Sequence, residues 1–283
     1  MNRAGTEASV HFQCPAKINL FLHITGQLEN SYHSLESVFR SVSLFDDISL
    51  VRRVDSQIVR NANPINVSPE HDLTVRAAKL LQRASGSTFG VDIALTKRIP
   101  MGSGLGGGSS NAAGVLQHLN RLWGCGLSHA ALHTLACELG ADVPFFLNGG
   151  DQFVQGIGEQ LAPIALAKAH YLIVFPGIHC PTGPMFQDPA LNRSSAPISV
   201  KELAQQDFLS TRFSNAFEVI ALRQFPEIAR AKHWLIQQTG NARLSGSGSA
   251  LFAQLASEAI AQKIQALCPS PWQAWSVYST APN

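Results

Sequence analysis

Pro100-Met101-Gly102-Ser103-Gly104-Leu105-Gly106-Gly107-Gly108-Ser109-Ser110 is the stretch that organises the rest of the chain. Five of the seven residues from 102 to 108 are glycine. Without Cβ atoms, successive backbone N–H groups can turn into one shared concavity, which suits an anion. Before the stretch, Phe89 to Lys97 places Val91, Ile93 and Leu95 on one face, the period of a strand. After it, Ala112, Val115, Leu116, Leu119 and Leu122 recur at helical spacing. The free N–H groups and positive dipole end of that helix add to the loop's own donors. A linker or plain turn is the bland alternative, and a periodic helix following at once speaks against it. Phosphate is the expected guest.

Neighbouring loop types fit less well. No Gly-Lys-Ser/Thr closes the stretch, so it is not a Walker A loop. Gly102, Gly104 and Gly107 satisfy G-x-G-x-x-G, but no acidic residue lies about 20 positions later to hold a ribose. The His-Arg-Asp and Asp-Phe-Gly signatures of protein kinases are missing.

Charge is scarce around the loop. None falls between Arg98 and Arg121, and only Glu138, Asp142, Asp151 and Glu159 between Arg121 and Lys168. Over the 283 residues, charged side chains make up 14% and the net charge is +2. An average soluble protein carries about 25%. The 45% hydrophobic content excludes a disordered chain. The absence of a basic excess speaks against nucleic acid as a partner. The neutral run is too glycine-rich and polar for a membrane span, and the N-terminus has no apolar signal core. Five scattered cysteines without a C-x-x-C pair point away from disulfides and zinc, and toward a reducing cytoplasm.

Working outward, Val10 to Ile24 reads as a strand broken near Pro15, with Lys17, Asn19, Phe21 and His23 on its polar face. Gln27 to Ser31 reads as a turn. Leu35, Val38, Phe39 and Val42 match a helical template in a region that is also β-permissive. Short strands are expected at Asp47–Arg53 and Gln57–Arg60. A helix is expected over Asp72–Ala84 with Asp72 as N-cap, and another from Ser128 to Leu139 stopped by Gly140. Further strands fall at 152–155, 161–166, 171–175, 249–255 and 273–278. Further helices fall at about 201–208, 214–223, 226–238 and 257–266. The order implies α+β in two domains, 1–160 and 161–283.

Several residues carry possible chemistry. Lys17 and Asn19 point the same way, roughly 7 Å apart by strand rise. A lone strand lysine is ordinarily a solvated edge residue. Asp142, in Leu139-Gly-Ala-Asp-Val-Pro144, either caps the following turn or acts as a general base toward a transferred phosphoryl. Tyr32-His33 is either ordinary surface or a stacking and hydrogen-bonding pair. Ser245-Gly-Ser-Gly-Ser249 is a second Gly/Ser turn. His129 and His133, one helical turn apart with no third ligand, read as exposed.

Pro15-Ala-Lys-Ile-Asn-Leu-Phe-Leu22, the glycine stretch with Asn111-Ala112, and Leu244-Ser-Gly-Ser-Gly248 together resemble the three motifs of the GHMP small-molecule kinases. Tyr32-His33, Leu139-Gly-Ala-Asp-Val-Pro-Phe-Phe146 and Pro181-Thr-Gly-Pro-Met-Phe-Gln-Asp-Pro189 are similar to the branch acting on cytidine diphosphate methylerythritol. The resemblance runs from about residue 14 to 255.

That resemblance implies an N-terminal domain like the second domain of ribosomal protein S5 and a ferredoxin-like C-terminal domain. It implies transfer of the γ-phosphate of ATP, with Mg²⁺, to the 2-hydroxyl of the small-molecule substrate in the non-mevalonate isoprenoid pathway. Asp142 would take the hydroxyl proton, Lys17 would orient the reacting groups, and Asn19 would bind substrate. Tyr32 and Phe186 would sandwich the cytosine, His33 would read its polar edge, and Thr182 would lie nearby. Residues Pro100, Met101, Gly102, Ser103, Gly104, Leu105, Gly106, Gly107, Gly108, Ser109 and Ser110 would wrap the ATP phosphates, with Lys97 near the adenine. No protein ligand of Mg²⁺ follows, Ser110 being only a candidate. A monomer or weak homodimer is expected.

Two positions depart from the family pattern. Ser31 stands where glycine is usual, and Asp72 where asparagine is usual, which removes an amide donor to adenine. Homoserine or mevalonate-type kinases, or a nucleotide-binding regulator on the same fold, are the alternatives. Tyr32, His33 and Phe186 weigh against the former, Lys17 and Asp142 against the latter.

Overall fold

The computed structural model describes residues 8–29, 32–61, 67–203 and 208–280. The chain begins with β1 (Ser9–Gln27), β2 (His33–Arg53), β3 (Ile58–Asn61), α1 (Leu73–Ser85) and β4 (Gly90–Thr96). It continues through α2 (Gly107–Leu122), α3 (His129–Leu139), α4 (Val143–Asn148), β5 (Asp151–Gln155), β6 (Gln160–Pro163) and β7 (His170–Phe175). It ends with α5 (Thr182–Gln187), α6 (Val200–Leu203), α7 (Glu218–Gln224), α8 (Pro226–Thr239), β8 (Arg243–Leu244), β9 (Leu251–Leu255), α9 (Glu258–Gln265) and β10 (Gln273–Tyr278).

Two compact units emerge, each assembled from several chain segments. The first comprises Met1–Pro15, Phe45–Ile99 and Gly107–Leu147. In it the second half of β2 pairs antiparallel with β4, from Asp47 opposite Thr96 to Arg53 opposite Gly90. β3 runs parallel to β4 on its other edge. α1 packs against β3, β4, α2 and α3. Val75, Ala78 and Leu81 of α1 are at or near zero exposure, as are Val91, Ile93, Ala112, Val115, Leu116 and Leu119 of the strand and helical stripes read in the sequence, while Leu122 of the latter is half-buried. Asp72 caps α1, accepting from Thr74 N at 2.8 Å. Ser128 caps α3, accepting from Ala131 N at 3.2 Å.

The second unit comprises Ala16–Leu44, Pro100–Gly106 and Asn148–Asn283. The first half of β2 pairs with β5, and β5 with β6, all antiparallel. A separate antiparallel sheet has the order β10-β7-β9-β8, with α8 and α9 packed on it. Taken along the chain, its elements run strand, helices, two strands, helix, strand, and lie in spatial order 4-1-3-2. That is the ferredoxin-like arrangement. Arg40 braces this unit. Its guanidinium grips Asp151 through Nε (2.9 Å) and a terminal nitrogen (3.0 Å), and it donates to the Tyr171 hydroxyl at 2.8 Å.

Several sequence expectations change here. β1 is not broken at Pro15. Among the named strands β1 pairs with β2, which leaves it at a margin of the sheet, where proline is tolerated. The helical template at Leu35–Val42 lies inside β2, whose residues 35–42 are all buried. Burial on both faces removes the alternation that marks a strand, which is why the period misled. For the same reason the second half of β1 has no polar solvent face: Ala16 to Ile24 is buried throughout, whereas Ser9, His11 and Gln13 before it are exposed. α5 and β8 were not anticipated, α6 is short, and the expected strand at 161–166 is β6. Residues 30–31, including Ser31, and 204–207 lie outside the described residues. Among the described residues no helix is long and apolar enough to cross a membrane, and no cluster of His, Cys, Asp and Glu could hold a metal.

Candidate active site

In the second unit, four carbonyls of the loop Pro100–Gly106 are hydrogen-bonded, three of them to other segments. Pro100 O accepts from Ser103 Oγ (2.7 Å), and Ser103 O from Ala250 N (2.9 Å). Gly104 O accepts from Ser245 Oγ (3.2 Å), and Leu105 O from Lys17 N (2.9 Å). Committing the carbonyls this way suits a loop whose N–H groups are to meet an anion. Glycine is required at 104: φ is +78° and a Cβ would stand 2.1 Å from Ser245 O. The Gly/Ser turn 245–249 is therefore the loop's scaffold, a role invisible in either segment alone.

Ser245 also reaches β1, where its Oγ accepts from Asn19 N at 3.3 Å. Lys17 and Asn19 do share a face, as their spacing implied, but that face is buried; they are 3% and 1% exposed. Lys17 Nζ donates to Asn19 Oδ1 at 2.6 Å and lies 4.4 Å from the Phe39 ring centroid. Asn19 Nδ2 donates to Ser37 Oγ at 3.0 Å, and Ser37 donates to Phe21 O at 2.5 Å. Because the Ser37 proton goes to Phe21 O, Ser37 can only accept from Asn19. That sets the amide so that its oxygen faces Lys17. Ser37 gave no sequence signal, since its role depends on strand pairing.

The same unit holds the aromatic residues. His33, the first residue of β2, stacks on Phe186 with ring centroids 5.0 Å apart at 20°. Phe186 also meets Phe217 edge-on. Tyr32 is 60% exposed. Thr182, at the start of α5, shares a 2.7 Å hydrogen bond with the Ser247 hydroxyl.

In the first unit, α2 begins at Gly107, so Gly107 and Gly108 belong to the helix rather than to the loop before it. A Cβ on Gly107 would lie 2.9 Å from Ile99 and 3.0 Å from Lys97 Nζ. The Lys97 ammonium is ion-paired with Asp46, which is wholly buried and accepts from Arg98 N (2.7 Å) and Ile99 N (2.9 Å). Ser110 Oγ, in the first turn of α2, is buried without a hydrogen-bond partner. Asp142 is half-buried and directly precedes α4. A cavity of about 650 Å³ opens between β3 and the start of α1, lined by Ile58, Val59, Arg60, Val67, Ser68, Pro69 and Val75. Asp72 does not offer its carboxylate to that cavity freely: one oxygen caps α1 and the other is ion-paired with Arg60.

The GHMP kinase N-terminal domain model matches residues 72–150, and the GHMP kinase C-terminal model matches 191–272. A protein of Paraburkholderia xenovorans named 4-diphosphocytidyl-2-C-methyl-D-erythritol kinase is 44% identical over 263 residues, 91% of this chain and 89% of the relative. A protein of the same name from Xanthomonas oryzae pv. oryzae is 43% identical, covering 99% of this chain and 94% of its own. The chain belongs to the GHMP kinase family.

A crystal structure of 4-(cytidine 5'-diphospho)-2C-methyl-D-erythritol kinase superposes with a TM-score of 0.82 at 32% identity, covering 96% of this GHMP kinase and all of that chain. A mevalonate kinase of Methanococcus jannaschii has a TM-score of 0.74 at 14% identity, with 98% and 100% covered, which shows the shared fold. A GHMP kinase uses ATP as its phosphate donor. The loop's turned-in carbonyls and the glycine-only positions fit that group. His129 is exposed, and His133 is half-buried with Nδ1 3.7 Å from Cys137 Sγ; His179, which the sequence did not mark, lies against the loop, where a Cβ on Gly102 would stand 1.9 Å from its Nδ1.

Proposed function

We propose that this kinase transfers the γ-phosphate of ATP to the 2-hydroxyl of 4-diphosphocytidyl-2-C-methyl-D-erythritol. The products are the 2-phosphate and ADP, in the non-mevalonate route to isoprenoid precursors. The observation that carries the reading is that one compact unit holds both a braced glycine loop and an aromatic pair, His33 and Phe186. A phosphate cradle alone serves any member of the family. An aromatic pair suits a substrate with a nucleobase, and homoserine and mevalonate have none. The relatives' printed names support the same substrate.

Phosphoryl transfer calls for positioning and charge stabilisation more than for covalent chemistry by the protein. Asp142 accepts the proton of the 2-hydroxyl as the oxygen attacks phosphorus. Lys17, held in direction by Asn19, orients the reacting groups and favours alkoxide character at that oxygen. Asn19 contacts substrate beside it. Residues 100–110 hold the triphosphate through backbone N–H groups. The cavity beside α1 and Lys97 serve the adenine end of ATP. With the Asp72 carboxylate engaged by Thr74 and Arg60, base contacts there come from apolar walls rather than from an amide. Tyr32 and Phe186 enclose the cytosine, His33 reads its polar edge, and Thr182 lies beside them.

Mg²⁺ accompanies ATP in this reading and neutralises phosphate charge when bound. Ser110 is its candidate protein ligand, because a buried hydroxyl lacking a partner is costly unless a ligand takes it up. The division at residue 160 separates the two family halves, and the matched segments fall on either side of it. The enzyme works in the cytoplasm as a monomer or weak homodimer. The test is ADP release with cytidine-diphosphate methylerythritol, homoserine and mevalonate in parallel. Activity on the first alone is expected; activity only on the second or third overturns the substrate.

A further inference from the structure

Arg193 is the side chain around the aromatic pair to which no role has yet been given. Its Nε donates to His33 Nε2 at 3.1 Å. The rest of the guanidinium is anchored on backbone. One terminal nitrogen donates to Phe186 O (2.7 Å) and Asp188 O (3.0 Å), the other to Leu191 O (3.2 Å). The group that touches His33 is thus fixed to the turn that carries Phe186.

An arginine has only donors and keeps its proton. The His33 nitrogen that receives it must therefore carry a lone pair. That leaves the imidazole neutral, with its one proton on Nδ1. Burial and the nearby Arg193 charge both push the His33 pKa below its ordinary value, which favours the same uncharged ring. Left to itself, a neutral histidine divides between two tautomers, and a site that reads a base by hydrogen bonds needs one of them.

We propose that Arg193 is a positioning residue for base recognition: it holds His33 as the neutral Nδ1–H tautomer, so that His33 presents a donor and selects cytosine over uracil. The proposal rests on the reading that His33 meets the polar edge of the base. On that edge cytosine has two adjacent acceptors, N3 and O2. Uracil interposes N3–H, which sets a donor against a donor. A buried donor left without an acceptor is what makes such discrimination strong.

The experiment uses the full-length enzyme labelled with ¹⁵N-histidine, with His33→Ala supplying the assignment. Long-range ¹H–¹⁵N spectra at neutral pH are expected to show His33 protonated on Nδ1. In Arg193→Met the two tautomers mix, and Arg193→Lys, which keeps a donor, retains the wild-type form. In steady-state assays Arg193→Met raises KM for the cytidine substrate about 10-fold, with a smaller change in kcat. It also erodes the preference over the uridine diphosphate counterpart by a similar factor, and Arg193→Lys recovers part of both. Thermal melts check folding, and the protonation of His33 in the wild-type spectrum carries the test if the methionine variant melts early.

A wild-type His33 protonated on Nε2 overturns the proposal, as does a spectrum that Arg193→Met leaves unchanged. A shifted tautomer with an unchanged cytidine-over-uridine preference overturns the selectivity. If His33→Ala leaves substrate KM untouched, the reading of His33 as the base contact fails instead, and the tautomer result stands apart from it.

Discussion

The glycine loop and the aromatic pair lie in the same compact unit and are built in opposite ways. The loop is braced at Pro100, Ser103, Gly104 and Leu105 by the 245–250 segment, by β1 and by its own serine. Its key glycine has no room for a methyl group. At the aromatic end, Tyr32 is 60% exposed and His33 rests on Phe186 itself. On the proposed function, the difference follows from what each end must do. A transferring phosphoryl tolerates little misplacement, so its cradle is pre-formed. A stacked base gains its energy from area and can settle its neighbours on arrival.

Four substitutions test that contrast, beginning with the chemistry itself. Asp142→Ala should cut kcat at least about 100-fold, the scale of lost general-base help. ATP affinity, measured by calorimetry, should hold. Near-normal turnover would remove Asp142 from the reaction. Next, Gly104→Ala forces a Cβ against Ser245 O at positive φ, at a cost of about 2 kcal/mol. Expressed in kcat/KM for ATP, that is roughly 30-fold. Gly26→Ala, where nothing lies within 4 Å, is the matched control and should be near neutral. Equal effects would mean that the loop's bracing is not what matters.

Tyr32→Ala should raise substrate KM about 10-fold, as expected of one lost base stack, and leave the KM of ATP alone. A parallel rise in both would break the separation of the two ends. The smallest effect is expected from Ser37→Ala, which frees the Asn19 amide to turn its nitrogen toward Lys17. Of the two buried hydrogen bonds that Ser37 makes, the one from Asn19 bears on Lys17, and its loss costs about 1 kcal/mol, or roughly fivefold in kcat. An unchanged kcat would show that Ser37 does not set the direction of the amide.

The legible parts of this chain were those with a local cause. The α1 cap at Asp72, the α3 cap at Ser128 and the stripe of α2 follow from neighbours within a turn or two, and all stand. The long strands were harder. β2 is buried on both faces at Leu35–Val42, and a strand with two buried faces carries no alternation to read. Lys17 and Asn19 were rightly placed on one face, yet that face was expected to be polar and is interior. Ser37, Asp46 and Arg193 could not be singled out, and Ser245 was marked only as part of a turn and a motif. Each acts through a partner 16 to 226 positions away, and nothing in a local window marks such a pair.

From sequence alone came the glycine loop, its strand-and-helix setting, the α+β class and the motifs that resemble the family, because glycine content, capping and periodicity are properties of contiguous residues. Only the tertiary structure decided which way the loop's carbonyls point, which oxygen faces Lys17 and which nitrogen of His33 holds the proton. Those are questions of hydrogen-bond direction, and direction is settled by groups that folding brings together from distant parts of the chain.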